Sequence, residues 1–241
     1  MLKAQCFHTV SPPDDIPSEV QELTQLRRAI GLSRPFIIWE PVRHLCTPES
    51  LDSCLKSAKE VDVFSPNHNE ILRLFNYQPQ FDRQKIQELA EIFLDSGVGP
   101  AGKGFVVVRS GANGCLVTWG PSTARVSVWV PSFYDSADYP AGESPVIDPT
   151  GAGNAFLGGF AVGWAKSSDA IEAVVYGSIA SSFALEQFGT PKLEKSDNGS
   201  NEVWNGVVPQ DRLQKFQARL EWGSAHGSGI ASRTTGMHSE Q

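Results

Sequence analysis

Apolar positions along the chain switch between two rhythms, and the switch recurs. In "SEVQELTQLRRAIGL" (18–32), Val20, Leu23, Leu26, Arg27 and Ile30 fall near helical spacing, with Gly31 after them. "PFIIWEP" (35–41) is instead a continuous apolar run bounded by prolines, as a buried strand requires. A second helix is predicted over 47–61, opened by Thr47 as N-cap, Pro48 and Glu49. "VDVFSPN" (61–67) reads as the next strand and "HNEILRLF" (68–75) as a helix start. A third amphipathic helix is predicted over 82–97, stopped by Gly97. This alternation predicts a parallel sheet covered by helices.

From 104 onward the pattern becomes β-rich. Two β-branched runs in "GFVVVRSGANGCLVTWG" meet at Asn113-Gly114, a hairpin signal. "ARVSVWVPS" (124–132) alternates Val126, Val128 and Val130 and adds a third strand. A polar loop (133–145) follows, then a short strand end over Pro145 to Asp148, then helices over 153–166 and 169–188. The segment 189–206 reads as a low-order loop and 208–222 as a final helix. Residues 223–241 hold almost nothing that enters a core and are expected to form a disordered tail.

Bulk properties narrow the function classes. At 241 residues the chain suits one large domain, and 40% hydrophobic with 20% charged residues describes a globular protein. The net charge of −7 offers no basic excess for nucleic acid or an anionic membrane. No apolar run has the length of a membrane span or a secretory leader. Cys6, Cys46, Cys54 and Cys115 form no CxxC and have no histidine at zinc-like spacing, so they read as free thiols in a reducing, cytoplasmic setting. The five histidines are scattered and suggest no metal site. Asn198-Gly199-Ser200 has the form of a glycosylation sequon that a cytoplasmic chain would not use.

The densest chemistry lies in "DPTGAGNAFLGGF" (148–160). Gly151 and Gly153 allow the backbone to turn with its amides exposed, and a helix begins near Asn154. A helix start of this kind presents unpaired N–H groups and the positive end of the helix dipole, which suits an anion. The same turn also serves as plain strand-to-helix architecture. The helix is apolar all round and is expected to be buried, with Gly158, Gly159 and Gly163 packing close to the sheet. Neither GxxxxGK[ST] nor an in-register GxGxxG is present, and the acidic ribose partner of a dinucleotide binder is missing.

With Asp148, Thr150, Gly151, Ala152 and Gly153, this stretch resembles the D-x-T-G-A-G-D signature of the pfkB carbohydrate kinase family. "SPNHNE" resembles that family's Asn-x-x-Glu motif through Asn67 and Glu70. "VVVRSGANG" resembles its T-x-G-x-x-G strand end, with Gly111 and Gly114 in place and Arg109 where threonine is usual. "WEPVR" resembles its D-x-N-x-R strand end through Glu40 and Arg43. "AIEAVVYGSIASSFALEQFGTP" resembles its small-residue helix, with Gly177, Ala180 and Ser181, and Gly189 beyond. The five segments fall in family order over 36–191. Phe7-His8, Glu40-Pro41 and Asn154 together are similar to a fungal Mak-type branch.

The resemblance implies a ribokinase-like three-layer α-β-α fold with a mostly parallel sheet over 1–222. The family's N-terminal strands and lid have no counterpart in this chain, which leaves an exposed sheet edge for a protein partner or homodimer. It also implies ATP and magnesium as cofactors and phosphoryl transfer to a sugar or nucleoside hydroxyl. Gly151, Ala152 and Gly153 would form the anion hole. Asn67, Arg109, Gly111, Gly114, Asp148, Thr150, Ser181 and Gly189 would border the nucleotide, and Glu70 would act indirectly on magnesium. Asn154 stands at the general base, and a neutral amide accepts no proton, so transfer is expected to be slow. The other expectation is a catalytically impaired nucleotide-binding or interaction module.

Overall fold

Residues two apart in the strands share a core, and their neighbours enter another. In the computed structural model, which describes residues 1–135, 139, 143–195 and 202–225, Ile37 and Trp39 enter one core while Ile38 enters a second. Val106 and Val108 likewise oppose Val107. Strands β1 (Cys6–Ser11), β2 (Phe36–Pro41), β3 (Val63–Phe64) and β4 (Phe105–Arg109) run parallel in that order. Strands β5 (Cys115–Trp119) and β6 (Val126–Val130) continue the six-stranded sheet antiparallel. Helices α1 (Ile16–Ala29), α2 (Leu51–Ser57), α3 (His68–Leu74) and α4 (Arg83–Ser96) supply the first core. Helices α5 (Ala152–Ser167), α6 (Ala170–Leu185) and α7 (Pro209–Ala225) cover the opposite face. The result is the expected three-layer α/β architecture, with β1 at one edge, paired among the described residues with β2 alone.

Several local expectations are corrected. Helix α1 buries the narrow stripe Ile16, Val20 and Arg27, while Leu26 and Ile30 are exposed. Arg27 is buried because its guanidinium donates to the carbonyls of Leu2, Ala4 (2.6 Å) and Ser33 (2.7 Å), which ties down the N-terminal segment. The second predicted helix is α2 flanked by 3₁₀ turns at Pro48–Ser50 and Ala58–Glu60. Pro145 to Asp148 is not a strand. The amides of Ile147 and Asp148 donate to the Leu185 carbonyl, so the segment follows the end of α6 instead of the sheet.

Helix α5 is buried on one face only. Phe156, Leu157 and Phe160 enter the core while Val162 is half exposed. Its glycines serve α6 rather than the sheet: a side chain at Gly159 or Gly163 would strike Tyr176, Ala180 or Ala173, whereas Gly158 faces open space. The segment 189–206 contains a small antiparallel hairpin, β7 (Leu193–Lys195) with β8 (Glu202–Trp204). Its three-residue strands are too short to show an alternating pattern. The four cysteines are free, and three of them are buried. The sequon and the tail beyond 225 lie outside the described residues, as do His226 and His238.

Candidate functional site

The carboxyl ends of the parallel strands converge, as the α/β layout dictates. Glu40 is the last residue but one of β2, Ser65 follows β3, and Arg109 closes β4. Helix α3 starts here because Asn67 and Glu70 form a reciprocal capping box. Asn67 Oδ1 accepts from the Glu70 amide at 3.0 Å, and Glu70 Oε2 accepts from the Asn67 amide at 2.7 Å. Glu70 Oε1 also accepts from Asn67 Nδ2 at 2.5 Å, so both carboxylate oxygens are committed. Burial raises the Glu70 pKa above the ordinary carboxylate range, outweighing its bond from the Asn67 amide and the nearby Arg109. Replacing Glu70 by Gln should therefore change stability by less than about 1 kcal/mol at neutral pH, because it keeps a cap and removes a buried charge. Glu70→Ala should cost about 1–3 kcal/mol, and denaturant midpoints of the two variants check this contrast.

Arg109 is the hub of the site. Its Nη2 donates to Glu40 Oε1 at 2.8 Å and to the Ser65 carbonyl at 3.0 Å, and lies 3.9 Å from Glu70 Oε2. Glu40 Oε2 in turn lies 3.2 Å from His8 Nε2. Burial would raise the Glu40 pKa, but the bond from His8 and the charge of Arg109 hold it below the ordinary range. Arg109 Nη1 lies against Gly153, where an added β-carbon would collide with it. The buried Nε of Arg109 and the buried hydroxyl of Ser110 have no hydrogen-bond partner among the described residues.

These groups border a cavity of about 410 Å³, within the usual range for small-molecule sites. The turn from β4 to β5 forms one wall through Ser110, Gly111 and Gly114. Gly114 has φ 80° and ψ −140°, a conformation that glycine alone adopts readily. The first turn of α5 forms another wall through Ala152 and Gly153. Among the described residues no side chain caps this helix; the Ala152 amide donates to the Pro149 carbonyl at 3.2 Å, and the next two amides are left to water or a ligand. Ser178, Ser181 and Ser182 of α6 line the third wall, at the spacing that places them on one helix face. Phe133, Tyr134 and Phe156 add aromatic surface. Cys115 also lines the cavity, but burial pushes its thiol up to about 12, so it is protonated and no nucleophile.

The structure brings Asn67, Arg109, Gly111, Gly114, Ala152, Gly153 and Ser181 to this cavity. Gly151, Asp148, Thr150 and Glu70 lie beside it without lining it, and Gly189 sits in an exposed turn beyond α6. Asp148 Oδ1 accepts from the Thr150 amide at 2.9 Å, which fixes the turn into α5. Asn154 is exposed on the first turn of α5 and faces outside the cavity lining. Sequence reasoning missed Ser110, Tyr134, Ser178 and Ser182. The three-and-four spacing of the α6 serines was the available signal for two of them.

The donor set suits an anion attached to a partly apolar body: amides, hydroxyls, one guanidinium and aromatic rings, with no carboxylate lining the cavity among the described residues. It does not suit a magnesium ion held by the protein. Glu70 and Glu40 are engaged elsewhere, and no group of three metal-ligating side chains occurs among the described residues. None of the described helices is long and apolar enough to cross a membrane.

Comparison with known proteins agrees with this fold. The chain is 30% identical over 222 residues to an uncharacterized protein of Schizosaccharomyces pombe, covering 90% of this chain and 60% of that protein. It is 28% identical over 219 residues to Protein MAK32 of Saccharomyces cerevisiae, covering 87% of this chain and 56% of that protein. The chain thus spans less than two thirds of the length of these relatives. Among solved structures, ribokinase from Giardia lamblia superimposes with a TM-score of 0.58 at 19% identity, covering 91% of this chain and 61% of that one. Arabidopsis thaliana ribokinase complexed with ribose and ATP gives 0.57 at 19% identity, covering 89% and 56%. The model of the pfkB family carbohydrate kinases matches residues 17–196, and the chain belongs to that family.

Proposed function

We propose that this chain binds ATP in the cavity between the β4–β5 turn, the start of α5 and the serine face of α6, with phosphoryl transfer to an alcohol strongly attenuated. The observation that carries the proposal is the convergence of uncapped α5 amides, Arg109 and the unpartnered Ser110 hydroxyl on one cavity. The Ser110 hydroxyl and the Arg109 Nε have no protein acceptor among the described residues, and the phosphates of a nucleotide would supply acceptors at this wall. Tyr134, Phe156 and the α6 serines offer an apolar and hydroxyl-lined space for a base and ribose.

ATP contributes a transferable γ-phosphoryl group, and the chain's own residues decide whether an acceptor can use it. Asn154 stands exposed at the turn where the family places its base, and its amide takes up no proton. Phosphoryl transfer depends chiefly on positioning and charge stabilisation, so a slow background rate survives loss of the base. A thermal-shift titration with ATP and with a panel of sugars and nucleosides tests the proposal. The expected result is stabilisation by ATP with little or no ADP release. A chain that ATP leaves unstabilised, or that turns over at the rates of ordinary kinases, contradicts it.

A further inference from the structure

Arg109 brings a nearly buried cation up to the start of a helix. Its side chain is 11% exposed and its Nη1 abuts Gly153, beside the positive end of the α5 dipole. Its nearest carboxylate, Glu40, is shared with His8, and the Nε of Arg109 is buried without a partner among the described residues. Glu70 approaches only to 3.9 Å and spends both oxygens on Asn67. Ser110, next in sequence and 1% exposed, also holds an unpartnered hydroxyl at the cavity wall. A guanidinium packed against a helix start sets two positive groups side by side on one cavity wall, and a multiply charged anion in that cavity balances both.

Resting on the nucleotide reading above, we infer that Arg109 supplies the counter-charge for the nucleotide's phosphates, so that ATP binds this chain without a divalent cation. Among the described residues the cavity offers no carboxylate to share a magnesium ion, and a fixed guanidinium neutralises phosphate charge directly. Glu40 competes with the phosphates for the same guanidinium. Neutralising Glu40 should then strengthen ATP binding, whereas neutralising Arg109 should weaken it.

Calorimetric titration of ATP in EDTA and in excess magnesium, on the wild-type chain and on Arg109→Gln and Glu40→Gln, tests this. The wild type should bind ATP in EDTA at least as tightly as with magnesium. Arg109→Gln should lose about tenfold or more in EDTA, and Glu40→Gln should gain a few-fold. Tighter ATP binding by Arg109→Gln would show that the guanidinium blocks the site, and it overturns the inference. Binding that requires magnesium in the wild type, with Glu40→Gln unchanged, overturns it while leaving the nucleotide reading intact. Absence of ATP binding in both conditions removes both. If Arg109→Gln does not fold, the opposite-signed effect of Glu40→Gln still decides.

Discussion

Replacing Asn154 by Asp is expected to raise ATP turnover at least about tenfold, because a positioned general base contributes about 10²–10⁴-fold. Asn154 is exposed on the first turn of α5, so the carboxylate would meet no packing obstacle there. The helix dipole would keep it ionised near neutral pH, ready to accept a proton from an alcohol. The same charge at a helix start should stabilise the fold by about 0.3–1 kcal/mol, which gives an internal check that the variant is placed as described. ADP release measured across a panel of sugars and nucleosides reads the effect. An unchanged rate in a variant whose melting temperature has risen would sink the argument that loss of the base limits transfer.

The second large effect concerns the wall formed by the β4–β5 turn. Gly114→Ala should cost about 3 kcal/mol or more, combining backbone strain of about 1–3 kcal/mol with steric overlap. Its φ of 80° and ψ of −140° exclude most side chains, and an added β-carbon would collide with the Val130 carbonyl and lie 2.8 Å from Pro131. Gly111, three residues earlier in the same turn, makes the control. It has φ 57° but no neighbour in reach of a β-carbon, so Gly111→Ala should cost only about 1–2 kcal/mol. Equal denaturant midpoints for the two variants would contradict this account of the wall.

Much of the fold was legible where a local rhythm ran long enough. Helix α4 shows its amphipathic spacing and its Gly97 stop in the sequence, and the structure ends it at that glycine in a left-handed conformation. The β4–β5 hairpin was equally open, with Asn113-Gly114 between two β-branched runs. Short elements hid: β3 pairs through two residues only, and β7 and β8 through three each. Val146 and Ile147 look like a strand, but both are exposed and the segment's amides turn to the end of α6, a choice made by tertiary structure.

The site divides in the same way. Asn67, Glu70, Gly111 and Gly153 could be found because each motif is contiguous. Asn67 and Glu70 also show how a motif serves two ends, since their spacing builds a helix cap that sets Asn67 in the cavity wall. The chain His8–Glu40–Arg109 could not be read in advance. It joins residues 32 and 69 positions apart, and only the parallel order of β1 to β4 in the sheet brings them together. Arg109 looked like a departure from a motif in the sequence. Its contacts with Glu40, Ser65 and Gly153 make it the electrostatic centre of the cavity.

The central claim is that this cavity holds a nucleotide, and calorimetric titration of ATP into the wild-type chain and into Ser181→Trp tests it most directly. Ser181 lies on the α6 face that lines the cavity, and an indole there would occupy the space assigned to the ligand. The account predicts saturable one-to-one binding by the wild type that is lost in a folded Ser181→Trp variant. No saturable heat from the wild type, or equal binding by both proteins, would contradict it.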